Sequence, residues 1–182
     1  IDEKIKRIIE PGTPPTTRVF ETIMKFVDSG IKCCVNIDPI IPFITDGHDH
    51  IASIVDTCQQ FGIRYISGSV LRLRHDIWVR IREILELFGK SWSIEEYERI
   101  YGFQEPFSYE FNQSANKTYI DKVLNNLKAE ISKRNIVFGF GELIEQLTKV
   151  KQEYTISSKQ CRINDFDCLV WHSNLFRITC IV

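Results

Sequence analysis

Apolar residues recur at helical spacing in two segments near the start of the chain. The first pattern predicts a helix over residues 2–10, and the second predicts a helix that runs to about Ser29. Between them, EPGTPPTT (residues 10–17) contains three prolines and a glycine, which favour a loop. Gly30 then suits the end of the second helix, because glycine readily adopts the left-handed conformation found there.

Two runs of apolar and small residues predict buried strands. The first run, residues 31–37, does not alternate cleanly, which is typical of a strand that is covered on both faces. The second lies within residues 63–74, and a helix predicted over 48–61 separates the two. Strands joined through a helix favour right-handed crossovers and a parallel sheet. Two strands do not complete a sheet, so we expect partner strands elsewhere in the chain or in sequence outside it.

Helical patterns dominate after residue 75, and strand-like patterns return at the end. Further helices are predicted over residues 76–89, 93–101, 116–134 and 143–154. The last part holds three strand-like stretches, KQCRI, DCLVW and FRITCIV. We therefore expect an α/β unit at 1–75, a mainly helical extension at 76–154 and a tail of short, β-rich segments at 155–182.

Composition changes this picture by removing several classes of partner. The 23 basic and 24 acidic residues give a formal net charge of -1, so no overall positive field favours nucleic acid, although a local basic patch that binds it stays open. No apolar run approaches the ~18 residues that a membrane-spanning helix needs. The first ten residues are amphipathic and charged, unlike a signal peptide. These features predict a cytoplasmic protein without a membrane partner.

The cysteines are interpreted as buried thiols. All six lie outside any C-x-x-C motif, and a core of this size does not need disulfides. An alternative is metal binding by Cys161, Cys168 and His172, although their spacing matches no standard zinc motif. The carboxylates and imidazoles of residues 46–50 lie at a helix start, where an aspartate is favoured by the helix dipole. No residue is therefore assigned to a metal, and none to catalysis.

The candidate ligand site lies where the two predicted strands end. Ligands of parallel α/β sheets bind at the carboxyl ends of the strands. One end is the proline-broken segment 36–42, and the other is the cationic segment 71–75. Taken separately, the prolines stop a strand, Asp38 caps a turn and the arginines are solvated. Taken together, they predict a rim that holds an anionic or nucleotide-like ligand.

Five motifs over residues 10–74 resemble one family. In order they are EPGTP (10–14), GI (30–31), PIIP (39–42), TD (45–46) and LRL (71–73). Their order and spacing resemble the second half of the radical S-adenosylmethionine domain in the spore photoproduct lyase-like, or "DNA repair photolyase", family. The resemblance beyond residue 75 is loose.

The resemblance implies the C-terminal part of a partial (β/α) TIM-like barrel and lyase chemistry. In such a barrel a [4Fe-4S] cluster cleaves S-adenosylmethionine to a 5′-deoxyadenosyl radical, and the family name suggests a DNA lesion as substrate. Ile40 and Ile41 would contact the purine, and Arg72 or Arg74 would bind the methionyl carboxylate or a substrate phosphate. The implied cofactor-binding residues are Asn36, Asp38, Pro39, Ile40, Ile41, Leu71, Arg72 and Arg74.

The chain also departs from the family pattern. Phe43 stands where the family has glycine after PIIP, and Arg74 stands where it has proline. The cluster motif C-x3-C-x2-C is absent, and in the family it precedes the segment that matches here. Because the chain begins at Ile1 rather than Met, we expect a fragment of a longer enzyme. By itself this chain is expected to hold no cluster and to be inactive.

Two other interpretations stay open, namely a non-catalytic half-barrel binding domain and another TIM-barrel-like enzyme with an anionic ligand. The expected partner is the missing N-terminal half of the barrel. A barrel cut in this way exposes a strand edge, so self-association through that edge is also predicted.

Overall fold

A computed structural model describes residues 3–103 and 112–139, together with two strands at 168–172 and 176–181. The described helices are α1 (Glu3–Ile9), α2 (Thr16–Asp28), α3 (His48–Gln60), α4 (His75–Leu87), α5 (Ile94–Tyr101) and α6 (Lys117–Ser132), with a 3-10 turn at Ser91–Ser93. The described strands are β1 (Lys32–Ile40), β2 (Tyr65–Val70), β3 (Arg72–Leu73), β4 (Gln113–Ser114), β5 (Val137–Phe138), β6 (Cys168–His172) and β7 (Phe176–Ile181).

The main sheet mixes parallel and antiparallel pairing. Its strand order is β5-β2-β1-β7-β6, and β5, β2 and β1 run parallel. Strand β7 runs antiparallel to β1, and β6 runs antiparallel to β7. The predicted α/β class and the parallel pairing through α3 are therefore confirmed. The strand on the other side of β1 comes from the tail and has the opposite direction.

One face of β1 and β2 carries the core. Val35, Ile37 and Ile66 are buried in one apolar cluster, together with Val55 of α3 and Leu127 of α6. Successive side chains of a strand point to opposite faces, so the residues between these belong to the other face. The helices therefore cover one face of the parallel strands. The alternate residues of β1 and β2 lie on the opposite face, away from these helices.

A bulge shapes the end of β1. The register pairs Ile37 with Gly68 and Ile40 with Val70, so β1 uses one residue more than β2 over this interval. The extra residue keeps Ile37 and Ile40 on the core face, while Asp38 stays on the opposite face. The Asp38–Pro39 peptide bond at this position is cis. Strand β1 thus continues through Pro39, although the sequence predicted its end there.

A buried lysine fixes the proline-rich loop between α1 and α2. The Nζ of Lys6 donates to the carbonyl oxygen of Pro14 at 2.5 Å and to Oγ1 of Thr16 at 3.3 Å. At the other end of the loop, Oγ1 of Thr13 donates to the backbone oxygen of Glu10 at 3.0 Å. The EPGTP segment is therefore an ordered turn held by several hydrogen bonds. A loop prediction from the sequence does not by itself imply this order.

Most predicted elements agree with the structure within a few residues. Among the tail predictions, DCLVW and FRITCIV are confirmed as β6 and β7. The KQCRI strand, the helix over 143–154 and the proposed ligand Cys161 lie outside the described residues. Among the helices that the structure describes, none has the length and apolar character that a membrane span requires.

Candidate functional site

Four polar side chains form a hydrogen-bonded row across the ends of β1 and β2. We call Asn36, Asp38, Ser67 and Ser69 the polar ladder. The Oγ of Ser67 donates to Oδ1 of Asn36 at 2.8 Å, and Nδ2 of Asn36 donates to Oδ2 of Asp38 at 3.5 Å. The Oγ of Ser69 donates to Oδ1 of Asp38. All four side chains are partly exposed, so the ladder is an organised polar surface rather than a buried network.

Strand alternation explains why these four side chains meet. Asn36 and Asp38 are two residues apart on β1, as Ser67 and Ser69 are on β2, so each pair shares a face. The register pairs Asn36 with Ser67, which brings the two strands' polar residues side by side. The polar ladder therefore occupies the face opposite the core, at the carboxyl half of both strands.

A buried thiol lies next to the polar ladder, on the side nearer the start of β1. Cys34 shares the face of Asn36, is fully buried, and interacts with Ser67. Burial raises the pKa of the Cys34 thiol to about 12, outweighing the hydrogen bonds with Ser67 that lower it. The thiol is therefore protonated at neutral pH, which does not suit a nucleophile.

The loop after β1 is fixed to the helical extension. Its own bonds are local, since the backbone N–H of Ile41 donates to Oγ1 of Thr45 at 2.7 Å. The hydroxyl of Tyr97 on α5 donates to the carbonyl oxygen of Pro42 at 3.0 Å, and Nζ of Lys90 donates to that of Phe43. The rim beside the ladder therefore has one defined shape, set by residues more than 40 positions later in the chain.

Phe43 has a backbone conformation that normally favours glycine. Its φ is 60°, in the left-handed region. Its ring lies 5.5 Å from Trp92, 5.7 Å from Tyr97 and 6.2 Å from Tyr119, measured between centroids. This is the position where the resembling family has glycine. Phe43 thus combines a left-handed backbone conformation with contacts to three aromatic rings.

A tyrosine of α6 binds the last carboxylate of the rim. The hydroxyl of Tyr119 donates to Oδ2 of Asp46 at 2.5 Å. Burial, and then the bond to Asp46, raise the pKa of Tyr119 far above its usual value. The phenol therefore stays protonated and acts as a donor, which leaves Asp46 committed to a structural contact.

The structure brings together only some of the residues that the sequence predicted for the site. Asn36 and Asp38 are in the ladder, with Pro39 half-buried beside them. Ile40 and Ile41 are 1% and 2% exposed and belong to the core cluster. Leu71 is also buried, and its carbonyl oxygen accepts a 2.7 Å bond from the hydroxyl of Tyr101.

The two predicted arginines lie on another part of the fold. Arg72 is exposed on β3, which pairs with β4 in a separate two-stranded sheet. Arg74 precedes α4 and binds Asp76 through both Nε (3.2 Å) and Nη2 (2.8 Å). Its guanidinium is therefore engaged at a helix start, where an acidic residue is favoured.

The sequence interpretation missed Ser67 and Ser69. Both belong to the segment YISGSV, which lies within the second predicted buried strand. The alternation of serine around Gly68 was the available signal. It indicates a strand with one polar face, once the core is assigned to Ile66 and Val70.

The described side chains of the rim bond to one another and are not arranged to hold a metal. Within the described part of the chain, no three His, Cys, Asp or Glu side chains are grouped to hold an ion. In the segment 46–50, Asp46 binds Tyr119 and His48 binds Glu130. These residues do not fit an iron–sulfur cluster, whereas the ladder fits a polar organic ligand. Comparison with protein-family models, curated proteins and solved structures found no match.

Proposed function

We propose that this chain is part of a radical S-adenosylmethionine enzyme of the photolyase-like group and binds the nucleoside portion of that cofactor. The polar ladder is the observation that carries the proposal. It presents oriented hydrogen-bonding groups at the carboxyl ends of two parallel strands, which is the edge where α/β sheets bind ligands.

The arrangement of the two sheet faces supports a partial barrel as the finer fold. In a (β/α) barrel, helices cover the outer face of each parallel strand and the inner face points toward the ligand. Here Leu127 of α6 and Val55 of α3 are on the core face, and Asn36 and Asp38 are on the other. The missing barrel strands are the partner that this proposal requires.

The cluster would be held outside this chain. A [4Fe-4S] cluster supplies the electron that cleaves S-adenosylmethionine, and the described residues offer no site for it. The role of this chain is therefore to bind and orient the nucleoside at the ladder. The chain alone is proposed to be inactive, and a cytoplasmic location accords with the buried thiols of Cys34 and Cys58.

A binding measurement on the chain tests the proposal. We expect S-adenosylmethionine to bind in isothermal titration calorimetry, and both Ser69→Ala and Asp38→Asn to weaken it. Asp121→Asn is the matched control, because Asp121 is an exposed residue of α6. Circular dichroism checks that each variant is folded. Absence of binding, or equal loss in the control, would show that the ladder is not the cofactor site.

One observation favours a second candidate, a binding domain without cluster chemistry. Strand β7 pairs with β1 from Lys32 to Ile37, on the side where a preceding barrel strand would pair. In that arrangement the sheet is closed on this side by the chain's own tail. Sequencing the locus upstream of Ile1 separates the candidates: a reading frame with C-x3-C-x2-C supports the enzyme, and its absence supports the binding domain.

A further inference from the structure

Two tyrosines of α5 bond to the segments that follow the two central strands. The hydroxyl of Tyr97 donates to the carbonyl oxygen of Pro42, after β1, at 3.0 Å. The hydroxyl of Tyr101 donates to the carbonyl oxygen of Leu71, after β2, at 2.7 Å. Burial raises the pKa of both tyrosines, so both hydroxyls keep the proton that they donate. We call Tyr97 and Tyr101 the tyrosine clamp, because together they join both strand ends to one helix.

The tyrosine clamp is itself held in place by its neighbours. Tyr97 and Tyr101 are four residues apart on α5, and their rings stack with centroids 5.6 Å apart and planes inclined by 8°. Trp78 of α4 packs against Tyr97 at 5.2 Å between centroids, and Nε2 of Gln113 donates to the carbonyl oxygen of Tyr101 at 2.8 Å. The two tyrosines are 0% and 1% exposed. The helical extension therefore offers the strand ends two hydroxyls in fixed positions.

The two strand ends depend on these donors. Pro42 and Leu71 are both buried, and a buried carbonyl oxygen that lacks a donor costs free energy. Leu71 also bonds to the other strand, because its backbone N–H donates to the carbonyl oxygen of Ile40 at 3.0 Å. A shift of either segment away from α5 therefore breaks a bond that the other segment uses to keep its place.

The bonds of the clamp lie close in sequence to the polar ladder. Asp38 comes four residues before Pro42, and Ser69 comes two residues before Leu71. The Ser69 hydroxyl donates to Asp38, so the ladder joins the same two strands just before the clamp does. A ligand that contacts both strands binds more tightly when their ends are already arranged, because less conformational entropy is lost on binding.

We infer that Tyr97 and Tyr101 are positioning residues for the ligand site at the polar ladder, so that the helical extension completes the site of the α/β unit. They act through the backbone of the two rim segments, residues 41–46 and 71–74. Releasing a segment lowers the fraction of molecules whose site is arranged for binding, and the apparent affinity falls by that fraction. This inference rests on the proposed function, because its ligand is S-adenosylmethionine.

The test removes each hydroxyl and keeps its ring. S-adenosylmethionine is titrated by calorimetry into the full chain and into Tyr97→Phe and Tyr101→Phe, whose folding is checked by circular dichroism. We expect each variant to bind about 5- to 10-fold more weakly, as for the loss of one hydrogen bond. Hydrogen exchange followed by mass spectrometry should show faster exchange in residues 41–46 for Tyr97→Phe and in residues 71–74 for Tyr101→Phe.

A control variant separates positioning from a general loss of stability. Ile23→Val removes one methyl group from the core at α2, which should destabilise the chain by a similar amount. It should leave both the affinity and the exchange of the two rim segments unchanged. Equal weakening of binding by Ile23→Val would mean that affinity follows overall stability, and it would overturn the inference.

The outcomes also distinguish this inference from the proposed function. Unchanged affinity in both tyrosine variants, with S-adenosylmethionine bound by the unmodified chain, retains the function and rejects the positioning role. If the unmodified chain does not bind S-adenosylmethionine, the proposed function is rejected and the exchange data decide on the clamp. Faster exchange confined to the segment of the altered tyrosine supports the clamp, and exchange that is unchanged or faster throughout the chain rejects it.

Discussion

Phe43 shows how one residue can keep a backbone conformation that its side chain disfavours. A non-glycine residue in the left-handed region costs about 1–2 kcal/mol, which contacts elsewhere must offset. Phe43 contributes ring contacts with Trp92 and Tyr97, and its carbonyl oxygen accepts from Lys90. The ring therefore compensates for the turn that glycine would form without strain.

Two substitutions at this position separate the ring from the backbone. Phe43→Ala removes the ring and keeps the strain, whereas Phe43→Gly removes both. We expect the glycine variant to have a free energy of unfolding about 1 kcal/mol higher than the alanine variant, measured in urea. The control site is Glu21, an exposed residue inside α2. There the alanine variant should have a free energy of unfolding about 0.5–1 kcal/mol higher than the glycine variant, because glycine is unfavourable inside a helix. An alanine variant at position 43 as stable as the glycine variant would contradict the strain.

Gly68 is required by close packing rather than by its backbone. A Cβ at this position would lie 2.9 Å from Cδ2 of Leu127 and 3.2 Å from the carbonyl oxygen of Ile37. Leu127 is fully buried, so it has little room to move. Gly68→Ala should therefore lower the free energy of unfolding by about 1–3 kcal/mol in urea denaturation. Gly12→Ala is the control and should be near neutral, because nothing lies within 4 Å of its Cβ.

At the level of elements, a charged network joins α3 to α6. Glu130 is buried, with a side chain 4% exposed, and accepts from Nζ of Lys133 at 2.5 Å and Nη1 of Arg134 at 2.7 Å. Arg134 also donates from Nε to Asp56 of α3 at 2.5 Å. The imidazole of His48 on α3 lies 3.0 Å from Glu130. The network therefore fixes the relative position of the two helices that cover the core face.

Low pH should weaken the charged network between α3 and α6 by protonating Glu130. Hydrogen bonds from Lys133, then those from Arg134, lower the pKa of Glu130 from 4.5 to about 2. A lowered folded pKa stabilises the protein above the unfolded value, and this contribution is lost as pH falls from about 4.5 toward 2. The stability difference between the unmodified chain and Glu130→Gln should thus be largest above pH 5 and shrink below it.

Denaturant midpoints across the pH range measure this difference. Glu95→Gln, at an exposed site on α5, is the matched control and should follow the unmodified chain throughout. A difference for Glu130→Gln that stayed constant from pH 6 to pH 2 would mean that the carboxylate's charge does not stabilise the helix pair.

The elements that the sequence predicted best are those defined by local pattern. Helices α2, α3 and α6 follow from apolar periodicity, and strands β1 and β2 follow from runs of apolar and small residues between them. The sequence places Asn36 and Asp38 in the predicted site because they lie at a predicted strand end. Ser67 and Ser69 required knowledge of which face β2 buries, and this depends on α6, some 50 residues later. Such pairing between distant segments leaves no periodic trace in the sequence.

For the whole molecule, the pairing of β7 with β1 is the least predictable feature. Both segments were expected as strands, but nothing in their sequences indicated that they are neighbours or antiparallel. The consequence is direct, because β7 covers the edge of β1 between Lys32 and Ile37. A preceding barrel strand would compete with β7 for the same backbone groups. Whether β7 pairs here therefore decides between an isolated sheet and a barrel segment.

A disulfide can report this pairing in solution. The register places Cys180 directly opposite Cys33. Opposite residues of an antiparallel pair have Cα atoms about 4.5–5.5 Å apart, within the roughly 4.4–6.8 Å that disulfides span. Oxidised glutathione should convert the two thiols to a disulfide and release two molecules of reduced glutathione. Peptide mapping by mass spectrometry should then find Cys33 linked to Cys180.

The remaining cysteines provide the control. Cys168 lies opposite Ile181 on the same hairpin, so Cys168→Ser should retain the link, and Cys180→Ser should abolish it. Linkage of Cys33 to another cysteine, or none under prolonged oxidation, would contradict the register. Repeating the oxidation with the longer protein extends the test. A link present in the short chain and absent in the long one would mean that a barrel strand has replaced β7, because two strands cannot bond to the same edge of β1.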